Sequence, residues 1–405
     1  MYMWIDALCI IQGDLEDWNT ESSKMASYYG AAWLTISASG SKDSTQSCMP
    51  TRNLKQLDDV HGCEPVTLQS SNDRLHVDFE ENHQLDRIPI FTRAWALQER
   101  LLSRRLLHMT PREAKWDCCN GIECECPTGP GYNERRYCTK SHYRQAATYP
   151  AWPCYPILGF EYWHNFLNRY HWRKLTFSSD KLKAIQAIAQ ELQAAQRDNG
   201  LFGQYILGIW DGRLFLRNLL WQPREGTPRP RARNPLFPSW TWASMEGSWS
   251  YEFPMAYPHR AEEEFGPAAS CGPQWTGVAS ATVVEKLPQA WDIDHGHRKN
   301  YPLVLSGNLL CLGKGEVAES PLKRYFDIDS VDDDAEVHSE SPLWYLRIWS
   351  EGLAEGFLME SNATSCLGLI LEAVSGRPGT FTRLGIFRGE PKEFCQAQQM
   401  TVTII

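Results

Sequence analysis

The chain contains no run of about 18 uninterrupted apolar residues, so no membrane-spanning helix is expected. Its opening, MYMWIDALCI, is apolar but carries Asp6 and no basic start, unlike a secretion signal. A cytoplasmic protein is the expectation. It also lacks a positive excess: 40 Lys and Arg stand against 49 Asp and Glu, a formal charge of −9, which argues against nucleic acid as the main partner. Neither a G-x-S-x-G segment nor a P-loop is present, so conventional hydrolase and nucleoside-triphosphatase readings have no support. The acidic run from Asp327 to Glu340 lacks the central glycine of a calcium loop and reads as solvated. No internal repeat of fixed period is visible. The 13 cysteines are odd in number and spread along a large chain, which fits reduced thiols better than a disulfide framework.

What the chain has is length and aromatics. With 405 residues and a hydrophobic share of 42%, two or three cored domains are expected. Seventeen Trp and 16 Tyr are abundant enough to line cores, interfaces or ligand pockets, since each ring buries a large area and Trp keeps one donor.

Periodicity divides the chain. Residues 2–12, YMWIDALCIIQ, read as a buried strand interrupted by one charge. Asp14 is placed to cap a helix over 15–32, where Trp18, Met25, Tyr29 and Ala32 fall at helical spacing and Gly30 weakens the last turn. The β-branched run AAWLTISAS (31–39) reads as a second strand, making a βαβ unit and favouring a parallel sheet. A further strand is expected near Leu75–Phe79. FTRAWALQERLL (91–102) has strong helix propensity. The segment 104–118 resembles a strand pair around a turn at Thr110–Pro111. Helices are then predicted over 160–172, 178–196 (capped by Ser178 or Ser179) and 207–221. After a Pro- and Arg-rich stretch, short strands dominate: 238–244, 276–287, 301–312, 343–349, 366–374, 380–387 and 400–405, suggesting a β-sandwich or open barrel.

The expected architecture is therefore an α/β N-terminal region (a partial parallel sheet with helices), a helical middle layer and a β-rich C-terminal region, α+β overall. Its divisions are an α/β domain over 1–125, an irregular connection over 126–157, a helical layer over 158–222, a linker over 223–237 and a β-rich region over 238–405.

Two acidic residues stand out. Asp6 lies in an otherwise apolar run, where an ionised carboxylate is expensive unless paired or hydrogen-bonded. It reads either as a functional group or as half of a structural ion pair with a neighbouring arginine. Glu99 follows Trp95 by one helical turn and points either into a cleft or into water. Cys118, Cys119, Cys124, Cys126 and Cys138 are dense enough to suggest thiolate ligation of zinc, but the spacing is not a paired C-x-x-C, and thiols beside an irregular loop are the plainer reading.

The order of segments WIDALCIIQ (4–12) with Asp14, ESSKMASYYGAAWLTISAS (21–39) and RAWALQERLLS (93–103) closely resembles the heterokaryon-incompatibility domain of filamentous fungi. That family shows W-I-D-x-L-C-I-x-Q-D, then M-x-x-I-Y-x-x-A, then R-x-W-x-x-Q-E-R-L-L-S. Later pieces at 175–189, 207–221 and 238–244 extend the likeness over most of residues 2–250. The family usually has an earlier S-Y-x-W-G block, so the resemblance implies an N-terminally truncated domain whose inner strand lacks a neighbour. It implies a role in allorecognition and programmed cell death through protein partners or self-association. These domains have been proposed as distant relatives of TIR domains, some of which cleave NAD. By that analogy, Glu99 or Asp6 is the catalytic carboxylate, with Trp4, Cys9, Gln12, Arg93, Trp95 and Gln98 binding or shaping the site. NAD would be substrate, and no resident cofactor is called for. The alternatives are a non-catalytic binding module and an inert remnant.

Overall fold

The described residues of this computed structural model are 2–49, 89–110, 114–125, 140–148, 158–195, 202–212, 215–224, 233–247, 249–251, 278–279, 281–283, 302–313, 316–317, 320, 322–326, 342–350 and 366–405. The predicted strand at Leu75–Phe79 lies outside them. Contacts divide the chain into two compact units. One comprises Met1–Thr148 with Arg173–Glu191, the other Tyr149–Trp172 with Leu192–Ile405. No helix among the described residues is long and apolar enough to cross a membrane.

In the first unit the initial run is not the buried strand that its apolar content predicts. Asp6–Cys9 forms a single helical turn, α1, with no buried residue, and only Ile10 of the whole run is buried. Local hydrogen bonding explains the difference: the Asp6 carboxylate accepts from the Ala7 amide at 2.7 Å, giving the backbone an alternative to a ladder. Helix α2 (Leu15–Ala31) begins where predicted. Asp14 caps it, accepting from Glu16 and Asp17 amides at 2.9 and 3.0 Å, and Asp17 reaches back to the Ile11 amide at 2.7 Å.

The parallel crossover is built from other pieces than the sequence suggests. Strand β1 (Thr35–Ser37) runs parallel to β2 (Arg105–Met109), and helix α3 (Ala94–Leu102) connects into β2. β3 (Ala114–Cys118) and β4 (Gly121–Cys124) extend the sheet antiparallel, so the predicted strand pair over 104–118 is present and the sheet order is β1-β2-β3-β4. Ser103 locks α3 to the sheet: its Oγ lies 2.7 Å from the Glu99 carbonyl oxygen and 2.8 Å from Thr35 Oγ1. Arg144, in α4 (Lys140–Thr148), donates to the Leu102 carbonyl at 3.1 Å, satisfying another C-terminal acceptor of α3.

Under this sheet lies a buried polar network. Arg100 Nε donates to Asp117 Oδ2 at 2.7 Å, and His108 Nε2 lies 3.5 Å from the same oxygen. His108 Nδ1 is 3.2 Å from Ser39 Oγ, which is 2.8 Å from Ser37 Oγ, while Lys140 Nζ donates to the Asp117 carbonyl at 3.1 Å. Burial pushes Lys140 down to about 8, despite the attraction of Asp117. Burial also holds His108 below its ordinary range and hence neutral. For Asp117 burial acts upward, but Arg100, His108 and Lys140 together outweigh it and hold the carboxyl well below the usual range.

Between Arg173 and Glu191 the chain adds a 3-10 turn (Ser178–Lys181) and the first part of helix α6 (Lys183–Ala195). The predicted serine cap is not made: Phe177 precedes the 3-10 turn, with no side-chain cap bond.

The second unit contains α5 (Leu158–Tyr170) and a buried aromatic cluster. Trp163 packs against Tyr205 and Trp210, both at 5.2 Å between ring centroids, and His171 lies 4.1 Å from Trp249. Part of the tryptophan richness is core: Trp163, Trp210, Trp221, Trp240, Trp242 and Trp249 are fully buried. The helix predicted over 207–221 is absent. Instead β5 (Tyr205–Ile206) and β6 (Ile209–Trp210) form a hairpin, followed by the four-residue α7 (Phe215–Asn218) and β7 (Trp221–Pro223). The two turn residues have φ of 46° at Leu207 and 95° at Gly208, as a tight hairpin demands. Thr241 Oγ1 and Trp242 Nε1 donate to their two carbonyls and hold the strained turn. The strand expected over 238–244 is also absent, its end being a 3-10 turn (Trp242–Ser244) capped by Thr241. β8 (Trp249–Tyr251) pairs with β7.

β9 (Val278–Ala279), β10 (Ala281–Val283), β11 (Leu303–Leu312), β12 (Lys323–Phe326), β13 (Leu343–Ser350), β14 (Cys366–Ala373), β15 (Thr380–Gly389) and β16 (Gln398–Ile404) form one sheet. The sequence suggests an open barrel or sandwich, but the pairings run in a closed circuit β11-β16-β15-β14-β13-β11. Alternation along β11 (buried Leu303, Leu305 and Leu309) supplies the inner face. Gly368 sits where β14 passes closest to its neighbours: an added Cβ would collide with the Leu346 carbonyl oxygen and the Phe387 ring. Gly368→Ala is expected to destabilise the second unit by roughly 1–3 kcal/mol or more, read as an earlier urea midpoint, and an unchanged midpoint would contradict this packing.

Candidate functional site

The α2–α3 seam brings together side chains that are far apart in sequence. Trp18, Met25 and Tyr29 share one stripe of α2, while Trp95 and Glu99 share one stripe of α3. At one end the Trp18 and Trp95 rings meet edge to face, with centroids 5.8 Å apart. At the other, Tyr29, Asp6 and Arg93 lie near enough to the Glu99 carboxylate to act on its ionisation. Trp4 packs on Tyr28 and Tyr29 with centroids at 5.1 and 5.6 Å. Its Nε1 is buried and makes no hydrogen bond among the described residues, which leaves a donor available to a polar ligand group.

Electrostatics at Glu99 follow from this geometry. Burial pushes its carboxyl up to about 7, and the Asp6 charge adds to that; Arg93 and the Tyr29 hydroxyl act in the opposite direction. Burial, with the Glu99 and Asp6 charges, holds the Tyr29 phenol well above its ordinary range, so it stays protonated. Glu99 is half-buried and Asp6 is exposed, so the pair borders water. A half-buried carboxyl titrating near neutrality is suited to exchange protons or to present a charge at cell pH.

The segment Arg173–Glu191 braces α3. Lys174 pairs with the entry of α3 through its amide to the Thr92 carbonyl (2.6 Å) and through its carbonyl to the Ala94 amide (3.0 Å). Arg173 Nη1 donates to the Phe91 carbonyl. Trp95 Nε1 approaches Asp180 Oδ2 at 3.4 Å, and burial raises Asp180. Lys183 Nζ lies 4.9 Å from the Trp18 ring centroid and 3.0 Å from Asn19 Oδ1, a cation–π contact that steadies the indole pair.

Of the residues singled out in the sequence, Asp6, Glu99, Arg93 and Trp4 gather at one place, with Trp95 one turn away. Gln98 does not join them: it is buried, and its Oε1 accepts from the Ala187 amide at 3.2 Å, anchoring α3 to α6. Gln12 donates to the Ile10 carbonyl at 2.9 Å, and Cys9 Sγ lies 3.5 Å from the Ile5 amide, so both shape the α1 turn. Cys118 is half-buried and Cys119 exposed beside the β3–β4 turn. Among the described residues no group of three or more His, Cys, Asp and Glu side chains is arranged to hold a metal ion, and Cys126 and Cys138 lie outside those residues. Sequence reasoning missed Tyr29 as a site residue. Its place on the α2 stripe was visible, but that signal is shared by ordinary core positions.

Residues 1–99 match the family model described as Heterokaryon incompatibility protein (HET). The chain carries a HET domain. The matched segment ends at Glu99, so it contains Trp4, Asp6, Tyr29, Arg93 and Trp95, whereas the bracing residues Arg173, Lys174, Asp180 and Lys183 lie beyond the matched part of the HET domain. No curated protein and no solved structure matches the chain.

Proposed function

We propose that this HET domain protein acts in the cytoplasm in fungal allorecognition and programmed cell death, and that its Glu99 centre hydrolyses the glycosidic bond of NAD or a related nucleotide. The observation that carries this reading is the convergence of Glu99, Asp6 and Tyr29 beside Trp4 and Arg93. In such a reaction the C1′–N bond breaks and its electron pair leaves with neutral nicotinamide. Water adds to C1′, and its proton passes to Glu99 and then to solvent. Glu99 in its carboxylate form both stabilises the positive charge developing at the sugar and takes that proton. Trp4 offers a ring for stacking and an indole N–H, and Arg93 supplies a cation for phosphate.

The test is release of nicotinamide from NAD by purified protein. Glu99→Gln is expected to lower turnover by about 100-fold or more while keeping the fold, as loss of one positioned general base does. Turnover should also rise with pH through about 7, where the carboxyl ionises. Native protein that leaves NAD intact would count decisively against the chemistry.

A second reading, a non-catalytic self-association module, is favoured by the exposed apolar side chains Leu8 and Trp33, at 79% and 78% of full exposure. Under that reading Glu99→Gln keeps its toxicity in a fungal host, whereas under the first it loses it.

A further inference from the structure

His108 is wholly buried in the polar network beneath the first sheet. Its Nε2 lies 3.5 Å from Asp117 Oδ2 on β3, and its Nδ1 lies 3.2 Å from Ser39 Oγ, just beyond β1. Phe91, from the 3-10 turn Pro89–Thr92, meets the ring edge to face at 5.0 Å between centroids. The charged groups around it are Arg100 on α3, Lys140 on α4, and Lys115 and Asp117 on β3, with Lys115 buried directly opposite His108 in the β2–β3 register. Asp117 Oδ2 already accepts from Arg100 at 2.7 Å, while Oδ1 is buried and makes no hydrogen bond among the described residues. The pairing of this carboxylate therefore runs through one oxygen that Arg100 and His108 share.

An ionised carboxylate only accepts, so the shared oxygen calls for a proton on Nε2, and Nδ1 then accepts from the Ser39 hydroxyl. This neutral form satisfies both ring nitrogens and adds no charge. A second proton puts a further cation into a buried cluster where Arg100, Lys115 and Lys140 already surround Asp117. It also draws the shared oxygen toward the imidazolium and away from Arg100, the group that ties α3 to β3.

We propose that His108 is an acid-sensitive latch on α3: neutral, it completes the network that holds Arg100 to the sheet, and protonated, it loosens that hold. Because α3 carries Glu99, the latch regulates the candidate centre; that bearing rests on the Glu99 reading, whereas the latch itself does not. The sign follows from burial. His108 is held below its ordinary 6.5, so as the pH falls past that value the unfolded chain takes up a proton that the folded chain resists, and the hold weakens on the acid side. Glu99 acts in the opposite sense over part of this range, so His108 is read against a variant that keeps Glu99.

His108→Gln offers a donor and an acceptor on a side chain that does not titrate. Amide hydrogen exchange over Ala94–Leu102, corrected for the pH dependence of the intrinsic rate, reports the hold on α3. The native-to-variant ratio of exchange rates is expected to be about tenfold higher at pH 5 than at pH 8. The same ratio at both pH values overturns the proposal. If the glutamine variant does not fold, Glu99→Gln carries the test, since its opposing titration is gone. Its corrected exchange over α3 is expected to quicken about tenfold from pH 8 to pH 5, and an unchanged rate overturns the latch. Neither readout needs substrate, so failure to cleave NAD removes the reaction alone, and unchanged exchange removes the latch alone.

Discussion

Replacing Asp117 by alanine is expected to destabilise the first unit by about 3–5 kcal/mol, the cost of breaking a buried ion pair by removing one partner. Asp117 and Arg100 are almost wholly buried, and their 2.7 Å contact joins β3 to α3. Without the carboxylate, Lys140 escapes the penalty by releasing its proton, which burial already loosens to about 8. Arg100 has no such route, because a guanidinium stays charged. That asymmetry places the cost on α3, the helix that carries Glu99. A loss of this size is a large share of a typical domain stability of about 5–15 kcal/mol. The double variant Arg100→Met with Asp117→Leu removes both charges and is expected to recover much of the loss. Guanidinium unfolding decides it: an Asp117→Ala cost below about 1 kcal/mol, or no recovery in the double variant, would show that the network is not holding α3 in place.

Asp117 is a measure of what the sequence conceals. It sits in a strand-like segment where nothing local marks it as the partner of Arg100 or His108, and pairing across 17 and 9 residues appears only when the strands are in register. The sequence is most legible where one local rule decides. Asp14 caps α2 because its carboxylate meets two free amides, and the strands expected within 104–118 pair antiparallel. It misleads where apolar content stands in for burial. Residues 2–12 look like an inner strand, yet Leu8 and Ile11 are exposed and Asp6 turns the backbone into α1. Likewise 207–221 has helical composition, but Leu207 and Gly208 adopt a turn that distant Thr241 and Trp242 stabilise. Long-range contacts override local preference there.

The candidate site shows the same division. Asp6 reads as a costly carboxylate in a buried strand, but it lies exposed on a helical turn, whereas Glu99 on α3 is half-buried. Tyr29 was hidden because a tyrosine on an amphipathic stripe is usually core. The contributions of Asp180 and Lys183 come from more than 80 residues beyond Glu99 and carry no motif of their own.

Stability of the first unit is expected to fall as pH rises from about 4.5 to about 7, opposite to the usual acid-side behaviour of carboxylates. Glu99 releases its proton at about 7 in the folded chain, against an ordinary value of 4.5. Between these values the folded state binds the proton that the unfolded state has lost, so raising the pH favours unfolding. At 1.36 kcal/mol per unit, that gap bounds the loss at about 3 kcal/mol, complete above the folded value. Glu99→Gln cannot ionise, so it is expected to flatten this slope and to be more stable than the native chain above pH 7. Paired urea titrations at pH 5 and pH 8 measure the difference, and parallel pH dependence in the two proteins would mean that Glu99 ionises like an exposed carboxylate.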